Sequence, residues 1–161
     1  ETVNYLQNAH HITEFLSALV ELSNYQLIIT MPNADTMGNV IRKKINDFAV
    51  RKNNVKLIEN FGTIGYLTCM KYCSFLLGNS SSGFAEAAYF PKIVINVGDR
   101  QKGRLLTENI INTVTTKNEI LEAISKAEKV KLPIKIDAYG YGNATKQIIN
   151  ILKNELAKTH Y

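Results

Sequence analysis

Five short apolar runs recur along the chain, at Gln26–Thr30, Val55–Glu59, Ser74–Gly78, Lys92–Val97 and Asn109–Val114. Helical periodicity fills most of the intervals between them. The runs lack the sustained alternation of apolar and polar residues that a sheet wetted on one face requires, so they read as strands buried on both faces. Ile12, Phe15, Leu16, Leu19 and Val20 mark one amphipathic helix, and residues 36–52 a second, with Met37, Val40, Ile41, Ile45 and Phe48 on one stripe. Further helices are expected over Ile64–Tyr72 and Ser82–Tyr89. Thr116 and Glu119 have the spacing of a capping box, opening a helix with Ile120, Leu121 and Ile124 on one face. Asn143 stands as the cap of a last helix striped by Ile148, Ile149, Leu152 and Leu156. Strands separated by helices predict parallel βαβ units joined right-handedly. No linker divides the chain and nothing repeats. Residues 1–161 are therefore expected to form a single α/β domain, a doubly wound parallel sheet in a Rossmann-like three-layer sandwich; at 45% apolar the chain can fill its core.

Several classes drop out. The longest purely apolar runs, such as Leu27–Ile29, fall far below the roughly 20 residues of a membrane span, so no membrane association is expected. The polar opening, with its histidines, predicts no secretory leader. Two cysteines make no disulfide framework, which points to a reducing, cytoplasmic setting. The net charge of +5 has an uneven source, since Arg42, Lys43, Lys44, Arg51, Lys52 and Lys56 oppose only Asp47. These charges read as the solvated face of the second helix, and no aromatic residues alternate with them, so no nucleic-acid partner is expected. Nor is a metal or cofactor. Adjacent His10 and His11 point to different faces of a helix, and Cys69 and Cys73 read as packing residues. Gly140-Tyr141-Gly142 lacks the third glycine of a dinucleotide fingerprint.

In doubly wound sheets ligands sit outside the carboxyl ends of the strands, and that rule selects three loops. Met31-Pro32-Asn33-Ala34-Asp35 follows the first strand and has a plain reading as a turn with helix-capping residues. Gly78-Asn79-Ser80-Ser81-Ser82-Gly83 joins a buried strand to a helix start, where glycine allows close approach and unpaired N–H groups with nearby hydroxyls suit an anion. Glu86 follows one turn into that helix, where a carboxylate can accept hydrogen bonds from a diol such as a ribose. A serine cap alone needs one hydroxyl; here there are three. Gly98-Asp99-Arg100-Gln101-Lys102-Gly103-Arg104 sets three cations after the fourth strand, able to reach a diphosphate or simply to form a basic turn. Glu86, Asp35 and Asp99 are the only acidic residues in these loops, and no proton-transfer pair emerges. The chemistry is that of binding.

Gly78-Asn79-Ser80-Ser81-Ser82-Gly83, Glu86-Ala87, and Asn96-Val97-Gly98-Asp99-Arg100-Gln101-Lys102-Gly103-Arg104 together resemble the hydrolysing branch of the UDP-N-acetylglucosamine 2-epimerase family. Pro32-Asn33-Ala34-Asp35 and Tyr139-Gly140-Tyr141-Gly142-Asn143-Ala144 also look like family motifs. The resemblance covers essentially the whole chain, but only the second half of the family's protein. It implies the C-terminal domain of a two-domain GT-B fold holding UDP or UDP-N-acetylglucosamine. It implies that Ser80 and Ser81 bind the diphosphate, Glu86 the ribose hydroxyls and Arg100 the phosphates, that Asn33 lines the same cleft, and that Asn60 and Phe61 hold the uracil. The family's reaction is anti elimination of UDP, then hydration to N-acetylmannosamine, a step toward sialic-acid-type sugars. Its catalytic carboxylates lie in the N-terminal half, so the chain alone is expected to be inactive, with that half as its partner. One departure stands out: Tyr141 replaces the family's usual aspartate. A glycosyltransferase sharing the GT-B fold, or a non-catalytic module binding an acidic partner, are the alternatives. The apolar stripe of the last helix is expected to pack across onto the other domain, or otherwise to drive self-association into a homo-oligomer.

Overall fold

A computed structural model describes residues 5–32, 38–131 and 136–158. Its strands are β1 (Leu27–Thr30), β2 (Val55–Ile58), β3 (Leu76–Gly78), β4 (Val94–Val97) and β5 (Ile110–Thr113). Its helices are α1 (Tyr5–Val20), α2 (Gly38–Ala49), α3 (Gly62–Tyr72), α4 (Glu86–Tyr89), α5 (Lys117–Lys129) and α6 (Ala144–Lys158). Each strand falls inside the apolar run that predicts it.

Every strand pairing is parallel. β1 pairs with β2, Leu27 opposite Val55. β4 lies between β3 and β5, with Asn96 opposite Gly78 on one side and Asn112 on the other. β4 is buried at each position, and its successive residues feed two layers. Ile95 and Val97 pack with Ala18 and Leu19 of α1 and with Ile120, Ala123 and Ile124 of α5. Val94 packs with Met70 of α3 and Ala87 of α4. Helices on both faces of a parallel sheet make this the expected Rossmann-like α/β sandwich. Each large aliphatic buried there contributes roughly 1.5–3 kcal/mol.

Four details depart from the sequence reading. The strands form two hydrogen-bonded ladders, β1-β2 and β3-β4-β5, joined through a core that Leu27 and Ile29 share with β4. β1 is not buried on both faces: Ile28 is 50% exposed, because α3 commits its Met70 and Tyr66 to Val94 and Leu76 instead. The helix expected over Ser82–Tyr89 is broken into a 3-10 turn at Ser81–Gly83 and the four-residue α4, with fully buried Phe84 between them. Thr116 makes no side-chain cap; at this helix start the Lys117 N–H instead donates to the carboxylate of Glu14 on α1 at 2.9 Å. Lys117 also pairs with Glu21, holding that carboxyl below its usual range through a hydrogen bond and charge attraction.

The basic stretch is only partly a solvated face. Lys43 pairs with Asp47 on the exposed side of α2. Arg42 instead donates to the Pro32 carbonyl at 3.1 Å and pairs with Glu59, and Lys44 reaches back to Ala9 O and Thr13 Oγ1 on α1. Ile41 and Ile45 are buried on the stripe, while Met37 lies outside the described residues. Every described residue of α6 is exposed, Ile148, Ile149, Leu152 and Leu156 included.

Candidate functional site

β3 delivers the chain to its carboxyl end at Gly78, whose φ of +146° is open to glycine and strained for other residues. Ser80 stays extended, then the backbone tightens into the 3-10 turn, with Gly83 N–H bonded to Ser80 O at 3.2 Å and Phe84 N–H to Ser81 O at 3.0 Å. The hydroxyls are chained. Ser80 Oγ lies 2.9 Å from Ser82 Oγ, which in turn lies 2.5 Å from the Tyr66 hydroxyl on α3. Tyr66 carries no signal of function in the sequence; its one trace is its place a helical turn before the buried Met70.

β4 ends beside this loop because the two strands are parallel neighbours. Gly98 turns the chain at φ +80°, donating to Thr113 O at 2.8 Å, and Lys102 N–H closes a turn on Asp99 O at 2.9 Å. Gln101 is buried. Its Nε2 donates to the carbonyl of Asn79 at 2.8 Å, and its Oε1 accepts from Nε of Arg104. The basic loop and the serine loop are thus tied directly. Beneath them Asn96, 4% exposed, donates to Asn112 Oδ1 at 2.8 Å, and its own Oδ1 meets no donor among the described residues.

The structure puts Ser80, Ser81 and Glu86 after β3 and Arg100 after β4, all exposed. Asn60 and Phe61 follow β2, on the other ladder. Asn60 Oδ1 accepts the Gly62 N–H at 2.7 Å, which starts α3, and the Phe61 ring lies against Gly65. Arg42 links the ends of β1 and β2 through Pro32 and Glu59. Asn33 lies outside the described residues.

Hydroxyls, backbone amides and the cations Arg100, Lys102 and Arg104 on one sheet edge can hold an oxyanion. A four-residue α4 adds little dipole, because a macrodipole needs aligned peptides over more than one turn. Attraction rests on the loops themselves. Among the described residues no three His, Cys, Asp or Glu side chains gather as metal ligands. Cys69 and Cys73 are half-buried, and burial pushes the Cys73 thiol up. A surface depression of about 610 Å³ lies along α6, lined by Gly142, Asn143, Lys146 and Ile149, and includes none of the loop residues. No helix among the described residues is long and apolar enough to cross a membrane.

Residues 1–153 match the family model described as UDP-N-acetylglucosamine 2-epimerase. The GDP/UDP-N,N'-diacetylbacillosamine 2-epimerase (hydrolyzing) of Campylobacter jejuni is 38% identical over 128 residues, 79% of this chain and 33% of that protein. The UDP-N,N'-diacetylbacillosamine 2-epimerase (hydrolyzing) of Legionella pneumophila is 34% identical over 132 residues, 81% of this chain and 34% of that protein. The chain therefore spans about a third of the length of these relatives. The UDP-GlcNAc 2-epimerase of Methanocaldococcus jannaschii shares the fold at a TM-score of 0.74 and 17% identity, over 96% of this chain and 44% of that one; it has also been solved in complex with UDP-GlcNAc and UDP.

Proposed function

The chain belongs to the UDP-N-acetylglucosamine 2-epimerase family, and from that footing we propose that it is the nucleotide-holding half of a hydrolysing UDP-sugar 2-epimerase. One observation carries the reading: the serine loop after β3 and the basic loop after β4 meet on one sheet edge, tied through Gln101 and Asn79. Ser80 and Ser81 hold the diphosphate with Arg100 facing it, Glu86 accepts the ribose hydroxyls, Asn60 and Phe61 receive the uracil, and Asn33 lines the cleft. In the reaction the C2 proton and the C1–O bond of the sugar are lost together, releasing UDP and a 2-acetamidoglucal. Water then adds across the double bond to give the C2 epimer. The described loops supply no acid/base pair for this, so a second, N-terminal domain brings the carboxylates, and the 161-residue chain alone binds without turning over. The exposed stripe of α6 suits that domain's surface. The setting is cytoplasmic, and the product feeds sialic-acid-type sugar synthesis.

The activity for which the Campylobacter and Legionella relatives are named favours a second reading of the sugar, UDP-N,N'-diacetylbacillosamine in place of UDP-N-acetylglucosamine. Product analysis with each sugar in the full-length protein separates the two. Calorimetry of this chain with UDP tests the site itself. Ser81→Ala and Glu86→Ala should each weaken binding about tenfold, the worth of one charge-assisted hydrogen bond. Identical heats for wild type and both variants refute the site.

A further inference from the structure

We infer that Gln101 is a positioning residue: it clamps the basic loop onto the serine loop and aims the guanidinium of Arg104 at the phosphates the two loops share. The inference rests on the nucleotide reading above and adds to it a role for Arg104, held by Gln101.

Between Gly98 and Arg104, Gln101 is the one residue that is buried, at 7% exposure, while Asp99, Arg100, Lys102 and Arg104 are exposed. A buried primary amide has to satisfy both a donor and an acceptor. Its Nε2 donates to Asn79 O at 2.8 Å and its Oε1 accepts from Arg104 Nε. Chemistry dictates that orientation. With the amide turned over, oxygen would face the Asn79 carbonyl and nitrogen would face the Arg104 N–H, two repulsions in place of two bonds. No lysine, arginine, glutamate or apolar side chain can perform both tasks.

Each bond has a consequence for binding. The Asn79 carbonyl shares one rigid peptide plane with the Ser80 N–H, so holding the oxygen sets the direction of that amide. Engaging Nε of Arg104 sets the plane of its guanidinium and leaves Nη1 and Nη2 as donors without a partner among the described residues. That fork matches two oxygens of a phosphate.

UDP titrations of wild type, Gln101→Met, Arg104→Ala and the double variant, with a melting curve for each, form the test. Methionine keeps the volume and removes both bonds. Gln101→Met and Arg104→Ala should each weaken UDP about tenfold, and the double variant should bind within about twofold of the weaker single one, because both remove the same contact. Additive losses, about a hundredfold together, or wild-type affinity in Gln101→Met, overturn the inference. Gln101→Glu keeps the acceptor for Arg104 and sets a carboxylate against the Asn79 carbonyl. It should speed hydrogen exchange of the Gly83 and Phe84 amides, which bond to Ser80 O and Ser81 O, in the ligand-free chain, and it carries the test should the methionine variant fail to fold; unchanged exchange overturns the clamp. Ser81→Ala separates the two levels of argument. Wild-type affinity in that variant refutes the nucleotide site, whereas a weakened Ser81→Ala beside a silent Gln101→Met refutes the clamp alone.

Discussion

Gly83 lies where the serine loop crosses β4, and an added Cβ there would stand 2.8 Å from Val94 Cγ1, closer than real Cβ contacts come. Gly83 is not among the positive-φ residues, so space rather than backbone freedom demands glycine. Val94 is 3% exposed and sits between Leu76 and Ile110 on the neighbouring strands. Its β-branched side chain has one strongly preferred rotamer, so it cannot step aside cheaply. Overpacking of this kind costs about 1–3 kcal/mol, against which alanine's smaller unfolded-state entropy returns about 0.4–1 kcal/mol. Gly83→Ala should therefore destabilise by about 1–2 kcal/mol, a fall in Tm of roughly 2–8 °C at this length. Urea denaturation followed by circular dichroism measures the first, and a thermal melt the second. The cause is identified by Val94→Ala, which removes both γ-methyl groups: Gly83→Ala in that background should cost nothing further. A Gly83→Ala chain as stable as wild type, or one equally destabilised with and without Val94, refutes the steric reasoning.

Two further outcomes follow from hydrogen bonds at opposite ends of the molecule. The Tyr25 hydroxyl donates to Glu128, and its ring meets Phe75 edge-on at 5.5 Å; the bond and partial burial push the phenol up to about 12. A raised pKa favours the protonated form in the folded state, so this contribution is complete below pH 10, the ordinary phenol value, and is lost as pH rises toward about 12. Solvent screening holds it to no more than about 1 kcal/mol, and Tyr25→Phe should flatten the fall of the urea midpoint between pH 10 and 12; coincident slopes for the two proteins would sink this. Tyr66→Phe removes the hydroxyl that anchors Ser82 and, through it, Ser80. It should cost about 1 kcal/mol of stability and weaken UDP a few-fold, and an unaltered UDP affinity would show that the hydroxyl chain does not orient the loop.

The strands were legible because burial on both faces writes itself as a continuous apolar run, and β4 is that case. β1 shows the limit. Leu27-Ile28-Ile29-Thr30 has the same share of apolar residues, yet Ile28 is half exposed, since an apolar run says what can be covered and not where a helix lands. Capping escapes a local reading for a related reason. The Thr116–Glu119 spacing is local, whereas the group that satisfies the Lys117 amide is Glu14, brought from the far end of the chain by the packing of α1 against α5. Arg42 looks like a solvated charge in sequence because its partners, Pro32 and Glu59, follow two different strands. The break at Phe84 has no signature in helical periodicity, because one buried ring outweighed the propensity of its neighbours.

At the site the same division runs between groups that would touch a ligand and groups that hold them. Ser80 and Ser81 are neighbours in the loop after β3 and Arg100 stands in the loop after β4, and the rule for strand ends finds both loops. Tyr66 and Gln101 belong to no motif of their own chemistry. A tyrosine on a helix and a glutamine among cations acquire a role only when α3 packs its Met70 on Val94 and when β4 lies beside β3. That last pairing bears the greater weight. Were β3 and β4 antiparallel, the loop after one would leave from the end where the other begins, and the serines and arginines would stand a strand's length apart. Because Gly78 lies opposite Asn96 in a parallel ladder, both loops emerge on one edge, close enough for a single amide to bridge them at 2.8 Å.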